Sequence, residues 1–345
     1  MKVAVLSYPM LFQTKGGLQI QVLETIEHLN ALGCEARLID PNREHLSGFD
    51  MVHVFSAING NQRIVEHARG FKVPCVVSPL IQPHWTVSLG RRARFADRLV
   101  GKITGWQVST ESRQIATAIE LADHLIALGK VEQQRLVETF GSSPERVTVI
   151  PNGVPERFFG ADATPFCERF DVAPGYALCV ASIDAYKNQL GLARALAGTD
   201  VPLILVGDCL PSNRAYLDQL TAMPGVRHVG GFAHDDPMLA AAYAGAGVLG
   251  LVSPSEVMPL TVLEALAAGT PAVLTRNHSM DLDGALSGFV TEVDASSSGQ
   301  IRDAVLRALA NPAPRAAVTD SVRDLTWRAV GRRVLDVYER TRASR

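Results

Sequence analysis

Residues 253–275 read Ser-Pro-Ser-Glu-Val-Met-Pro-Leu-Thr-Val-Leu-Glu-Ala-Leu-Ala-Ala-Gly-Thr-Pro-Ala-Val-Leu-Thr. An apolar run over 247–251 precedes the turn former Ser253-Pro254-Ser255. Pro259 suits the first position of a helix and Gly269 its end, so the segment reads strand, loop, short helix, strand. Glu256 then falls on the loop and Glu264 about one turn into the helix. Free N–H groups at a helix start attract anions, and a carboxylate on either side accepts hydrogen bonds from hydroxyls. An anion site between two such carboxylates suits a sugar nucleotide.

Working outward, apolar strand-like runs alternate with helical patterns along most of the chain. In the first half the runs fall at 3–7, 35–39, 51–55, 73–78, 124–128 and 147–150, with a helix over about 17–32 after the first. In the second half they fall at 177–181, 203–206, 226–229, 247–251 and 272–274. Alternation of this kind predicts parallel sheets with helices on both faces. Between the halves, Pro151-Asn152-Gly153-Val154-Pro155 opens a stretch of turn formers and aromatics that reads as a domain boundary. The expected fold class is therefore α/β, with two Rossmann-like domains whose parallel sheets face each other across a cleft. The expected boundaries are 1–155, 156–325 and a terminal helix over 326–345 with Trp327, Val330, Val334, Leu335 and Tyr338 at helical spacing.

Composition supports two globular domains in 345 residues and points to no nucleic-acid partner. Charged residues make up 20% and the net charge is −2, so no global attraction to a polyanion follows. The five cysteines (Cys34, Cys75, Cys167, Cys179 and Cys209) are scattered without a C-x-x-C pair, as expected of core thiols in a reducing cytosol. Met1-Lys2 runs straight into the first strand, an arrangement with no room for a signal peptide. The uncharged run 238–252 is short and rich in Ala and Gly, and fits a buried helix feeding a buried strand rather than a membrane span.

With those residues in place, the segment around Glu256 resembles the Glu-x7-Glu motif of retaining glycosyltransferases of family 4, which have the GT-B fold. That motif usually runs Glu-x-Phe-Gly-Leu-x-x-Leu-Glu-Ala, and Glu256, Leu260, Leu263, Glu264 and Ala265 match it, followed by Gly269-Thr270-Pro271. Met258 and Pro259 depart from Phe-Gly. The resemblance implies that Glu264 binds ribose hydroxyls and Glu256 hexose hydroxyls. It also implies that amides near Met258, Leu260 and Thr261 hold the distal phosphate, with Leu260 and Thr261 carrying the load because Pro259 has no N–H. The stretch Ile150-Pro151-Asn152-Gly153-Val154 is similar to the family signature that ends the first domain, and the terminal helix to one that packs back on that domain.

The same resemblance assigns roles elsewhere. Lys187 falls on the loop that in the family carries an Arg and, five residues later, a Lys, both neutralising the departing diphosphate; here Ser182 occupies the Arg position. Gly16 and Gly17 match a Gly-Gly set against the donor diphosphate. Ser182 leaves three alternatives: a subfamily with a hydroxyl there, a cation supplied from elsewhere such as Lys15, or a poor catalyst. Gly230-Gly231-Phe232 falls where main-chain contacts reach the base. His84 lies several residues beyond the point where family members carry a His facing the anomeric carbon. No G-x-G-x-x-G follows the first strand, which argues against an oxidoreductase. Asp281-Leu282-Asp283 imitates a metal-binding Asp-x-Asp of another glycosyltransferase fold and reads here as a chance match.

The function so implied is a cytoplasmic enzyme of polysaccharide biosynthesis that needs neither metal nor cofactor. It would move a hexose from a nucleoside-diphosphate sugar to a glycan, lipid-linked or small-molecule acceptor. Residues 91–106 carry five Arg or Lys and one Asp among apolar residues at helical spacing; the stretch is either a peripheral membrane contact or an ordinary helix with a solvated cationic face. The alternatives on the same architecture are a sugar-nucleotide epimerase, a phosphorylase, or a catalytically silent donor-binding subunit. Ser182 keeps the last of these open.

Overall fold

The computed structural model describes residues 1–13, 16–104 and 110–345; within the helix that ends at Thr104, the side chains of Arg91, Arg94, Phe95, Arg98, Leu99, Lys102 and Thr104 are not described. It divides into two compact units. The first comprises Met1–Gly153, Ser279–Asp281 and Trp327–Arg345, and the second Val154–His278 and Leu282–Thr326.

In the first unit the strands are β1 (Lys2–Leu6), β2 (Glu35–Leu38), β3 (Met51–Phe55), β4 (Cys75–Ser78), β5 (His124–Ala127) and β6 (Val147–Val149). The helices are α1 (Gly17–Ala31), α2 (Gln62–Gly70), α3 (Val87–Thr104), α4 (Glu111–Leu121) and α5 (Lys130–Glu138). All strand pairs are parallel, in the order β2-β1-β3-β4-β5-β6. Every residue of β3 and β4 is buried, as expected where helices cover both faces of a parallel sheet.

In the second unit the strands are β7 (Tyr176–Val180), β8 (Leu203–Val206), β9 (Val226–His228), β10 (Ala246–Leu251), β11 (Ala272–Thr275) and β12 (Val290–Val293). The helices are α6 (Thr164–Phe170), α7 (Gln189–Leu196), α8 (Arg214–Thr221), α9 (Pro237–Gly245), α10 (Leu260–Ala267), α11 (Ser298–Ala310) and α12 (Arg315–Asp320). This sheet is also wholly parallel, in the order β12-β11-β10-β7-β8-β9. The order reverses between β7 and β10, the point in such sheets where loops diverge and ligands collect.

The last helix, α13 (Trp327–Ala343), belongs to the first unit and packs along α1, where an added Cβ on Gly331 would come within 2.9 Å of His28. It buries Trp327, Val330, Val334, Val337 and Tyr338. At about 1.5–3 kcal/mol for each large apolar side chain, that stripe contributes on the order of 10 kcal/mol before entropy is charged against it. Tyr338 also reaches the middle of the sheet: its hydroxyl lies 2.6 Å from His53 Nδ1, while His53 Nε2 lies 2.9 Å from Ser78 Oγ. Burial pushes the His53 pKa down to about 3, so the ring is neutral and both nitrogens are satisfied by hydroxyls.

Ser279–Asp281 is the short return of the chain to the first unit. The Asp281 carboxylate accepts from the Lys130 N–H at 2.9 and 3.1 Å, capping α5, whose N-cap residue Gly129 has no side chain to do so. Arg135 donates to Ser279 Oγ at 2.9 Å. Asp281 therefore has a structural partner, and among the described residues no three His, Cys, Asp or Glu side chains are grouped to hold a metal ion. None of the described helices is long and apolar enough to cross a membrane.

Candidate active site

The loops after β7 and β10 flank the reversal in the second sheet, and each carries one of the expected charged residues. Lys187 ends a short turn, Ala185–Lys187, that follows β7. Glu256 follows β10, and its N–H is fixed by Asn277 O at 3.0 Å. The two side chains meet, with Lys187 Nζ 2.8 Å from Glu256 Oε1, both largely shielded from solvent. Tyr186 reinforces the junction by donating its hydroxyl to Ser255 O at 2.8 Å.

The Lys187 loop is held on all sides. Asp184 caps Tyr186 N at 2.7 Å, the buried Gln189 donates to Ser182 O at 2.8 Å, and Asn188, at φ 53°, donates to Val252 O and Ala295 O at 2.9 and 3.1 Å. Asn188 is a residue type that tolerates the left-handed region, and its amide ties this loop to the end of β10. The loop after β8 lies against it so closely that a Cβ on Gly207 would fall 1.8 Å from Ala181 O. Ser182 is exposed, and its carbonyl rather than its hydroxyl takes part in this network.

The helix after Glu256 begins one residue later than expected. Pro259 is its N-cap, at φ −70° and ψ 121°, and Leu260 is the first helical residue. The missing N–H of proline thus removes no donor from the first turn. Val262 N turns back to Pro259 O at 3.2 Å, and the helix itself offers no partner to the N–H groups of Leu260 and Thr261. Two hydroxyls nearby in sequence, Ser253 Oγ and Ser255 Oγ, are buried without a hydrogen-bond partner among the described residues. Polar atoms in that condition are rare and mark strain or a ligand. Met258 and Leu260 point into the core, so any contact they make with a ligand is through the main chain. Gly269, at φ +82°, terminates the helix as expected.

Glu264 is buried in α10, and both of its oxygens are engaged. His234 Nε2 lies 2.9 Å from Oε1, and the Tyr243 hydroxyl donates to Oε2 at 2.7 Å. His234 and Tyr243 were not anticipated; they stand 30 and 21 residues from Glu264, and only tertiary packing brings them together. Phe232, two residues before His234, packs edge-on against Phe166 and Phe170 at 6.3 and 6.1 Å, which leaves its backbone as the part available to a base.

Gly16, Gly17 and His84 belong to the other unit. Gly16 precedes α1 in extended backbone at φ −173°, and an added Cβ would meet none of the described residues within 4 Å. Gly17 is the first residue of α1. Lys15 lies outside the described residues. His84 is exposed on the turn between β4 and α3, its ring 5.6 Å from that of the buried Trp85. The backbone of this turn is fixed by a residue that sequence reasoning missed. The fully buried Glu132 accepts from Ile81 N and Leu128 N, each at 2.7 Å, and burial raises its pKa to about 7 against the opposing pull of those bonds and of Arg135. Leu80, beside it, sits at φ 58°, a strained value for a bulky side chain and one found where function constrains the backbone.

Residues 162–324, which hold all six strands of the second sheet, match the model of the family described as glycosyl transferases group 1. Compared with curated protein sequences, the chain has no match. Among solved structures it is similar over 100% of both chains to a sucrose-phosphate synthase from Thermosynechococcus elongatus, at 18% identity and a TM-score of 0.76. It is similar to Anabaena HepE in complex with UDP-glucose, with 98% of this chain and 99% of that one covered, at 16% identity and a TM-score of 0.70. The lipopolysaccharide glycosyltransferase WaaG matches over 98% and 99% of the two chains, at 15% identity and a TM-score of 0.64. At these identities the structural likeness is one of fold. Together with the family match, it supports a glycosyltransferase of the GT-B type.

Proposed function

We propose that the protein is a retaining, metal-independent glycosyltransferase of family 4 that transfers a hexose from a nucleoside-diphosphate sugar. The observation that carries this reading is the Lys187–Glu256 pair at the reversal of the second sheet, beside the first turn of α10 and the unpartnered hydroxyls of Ser253 and Ser255. A cation, two free amides and a hydroxyl-accepting carboxylate are the groups that a sugar diphosphate needs.

In this reading Glu264 accepts from the ribose hydroxyls and Glu256 from those of the hexose. The N–H groups of Leu260 and Thr261 hold the distal phosphate. As the bond from the anomeric carbon to phosphate breaks, Lys187 and those dipoles stabilise the charge on the departing diphosphate, and no protein nucleophile is invoked. UDP-glucose in the HepE structure favours a nucleotide-sugar donor here. The acceptor is a glycan, a lipid-linked sugar or a small molecule. A peripheral membrane contact through residues 91–106 belongs to the lipid-linked case. Of that stretch, Ile103 is 76% exposed and Arg92 is exposed, while Trp106 and most of the basic side chains lie outside the described residues. Salt-sensitive sedimentation with anionic vesicles supports the contact, and indifference to them at low salt favours a soluble acceptor.

One observation favours a second reading, a silent donor-binding subunit. The Arg expected at position 182 is replaced by an exposed Ser, and the remaining cation is already paired with Glu256. A thermal-shift panel of nucleoside diphosphates and sugar nucleotides, followed by donor turnover with and without acceptor, tests both. A ligand at 100 times its Kd stabilises by about 2.7 kcal/mol. Absence of any shift overturns the donor reading, and a shift without turnover favours the silent subunit.

A further inference from the structure

Glu264 lies within a chain of hydrogen bonds that begins outside the motif. Arg157, in the short helical turn Glu156–Phe158, donates through Nη2 to His234 Nδ1 at 2.9 Å and to His234 O at 2.8 Å, and through Nε to the same carbonyl at 3.2 Å. His234 Nε2 faces Glu264 Oε1 at 2.9 Å, and Tyr243 donates to Glu264 Oε2 at 2.7 Å. Phe158 backs the array, its ring centroid 6.0 Å from that of His234 and 5.7 Å from that of Tyr243.

The chemistry of these groups assigns the protons. A guanidinium has five donors and no acceptor, so His234 Nδ1 must be the accepting nitrogen. The hydrogen of the neutral ring then resides on Nε2 and is donated to Glu264. Two protein donors therefore approach Glu264, one on each oxygen. A carboxylate has about four lone-pair sites, and one on each oxygen remains. Two remaining acceptor sites, side by side and fixed in direction, match the two adjacent hydroxyls of a ribose.

We infer that His234, held in its Nε2–H form by Arg157, is a positioning residue that orients Glu264 and so sets the preference of the site for a ribonucleotide over a deoxyribonucleotide. This rests on the proposed ribose role of Glu264. Without His234 the carboxylate keeps only the Tyr243 bond and is free to turn about its last torsion. The loss should therefore fall on the part of the ligand that Glu264 touches and spare the diphosphate.

The test is calorimetric titration with UDP, GDP and ADP, followed by the 2′-deoxy and 3′-deoxy analogues of whichever binds best. The wild type should prefer the ribonucleotide by about tenfold or more, the scale of a hydrogen bond to a charged group. Glu264→Ala should abolish the preference. His234→Ala should bring it within about twofold by weakening the ribonucleotide alone, and His234→Gln, whose amide N–H can reach the same oxygen, should restore most of it. Arg157→Met leaves every side chain at Glu264 in place and serves if His234→Ala fails to fold; it should lower the preference about threefold, the scale of a neutral hydrogen bond. Imidazole 15N spectra, assigned with His234→Gln, should report the Nε2–H form. Equal weakening of ribo and deoxy ligands in His234→Ala, no effect in either His234→Ala or Arg157→Met, or a ring protonated on Nδ1 overturns the inference while leaving the role of Glu264 intact. Survival of the preference in Glu264→Ala, or no binding of any of the three diphosphates, overturns the ribose reading itself.

Discussion

Lys187 and Glu256, 69 residues apart in sequence, form an ion pair of 2.8 Å across the reversal of the second sheet. The residue expected to meet the diphosphate and the residue expected to meet the hexose thus hold each other. A partly buried pair keeps each charge solvated by the other, and donor binding on the proposed scheme replaces part of that attraction with phosphate for lysine and hydroxyls for glutamate. Lys187→Ala should lower kcat by about 10²–10³-fold, the range seen when one group that stabilises developing negative charge is removed. A Lys187→Ala enzyme with unchanged kcat would show that the cation does not act on the leaving group.

The two carboxylates should separate in function. Glu264→Ala should weaken binding of the nucleoside diphosphate. Glu256→Ala should spare the nucleotide and damage turnover of the intact donor. Glu256, on the loop after β10, pairs with Lys187 on the loop after β7, whereas Glu264 is buried in α10 with His234 and Tyr243, so on the proposed scheme the two act on different parts of a ligand. Equal loss of nucleotide affinity in both variants, measured by titration, would refute the division.

Activity should survive EDTA, because the proposed site handles the diphosphate charge with Lys187 and the helix amides of Leu260 and Thr261. Turnover abolished by EDTA and restored by a divalent ion would require a different account of the leaving group.

How much of this was legible in the chain depended on what a local pattern can encode. β8 over Leu203–Val206 is a continuous apolar run and β3 over Met51–Phe55 is apolar but for His53, and the limits of both are readable to the residue. β12 was not anticipated: Thr291 and Glu292 are exposed in its middle, as an edge strand allows, so no apolar run marks it. Glu256, Glu264 and Lys187 carry their own signals of spacing and neighbours. Their partners do not. Arg157, His234 and Tyr243 meet Glu264 through tertiary packing, and periodicity says nothing about which loop lies beside which. Glu132 lacks a signal for the same reason, being an ordinary glutamate in the first turn of a helix until the fold seals it from water.

That burial makes Glu132 the source of a pH dependence. Its folded pKa, about 7, lies above the value of 4.5 for a free glutamate, so the folded chain binds more proton between those limits. Stability from this group is fully present below about 4.5 and is lost as pH rises through 7. The shift corresponds to about 3 kcal/mol at most. Glu132→Gln should be less stable than wild type at pH 5, because an amide N–H2 cannot accept from one of Ile81 N and Leu128 N, and the gap should narrow toward pH 8. Urea titrations at a series of pH values read it directly, and a gap that widens with pH would contradict the assignment.

His53 gives the opposite slope. Its folded pKa, about 3, lies below the free value of 6.5, so the unfolded chain takes up the proton first as pH falls. The stability it contributes is present above about 6.5 and drains away as pH drops toward 3. At neutral pH the ring joins β3, β4 and α13 through the hydroxyls of Ser78 and Tyr338, all of them buried. Tyr338→Phe should therefore cost about 1–3 kcal/mol at pH 7, since it strands Nδ1 without a partner in the core. His53→Gln should also be less stable than wild type at pH 7, but its deficit should shrink as the buffer is taken from pH 7 to pH 4, because the glutamine has no proton to gain. Denaturation midpoints of the three proteins across that range distinguish the cases. If Tyr338→Phe matches wild type at pH 7, the bond to His53 does not help to hold α13 against the sheet.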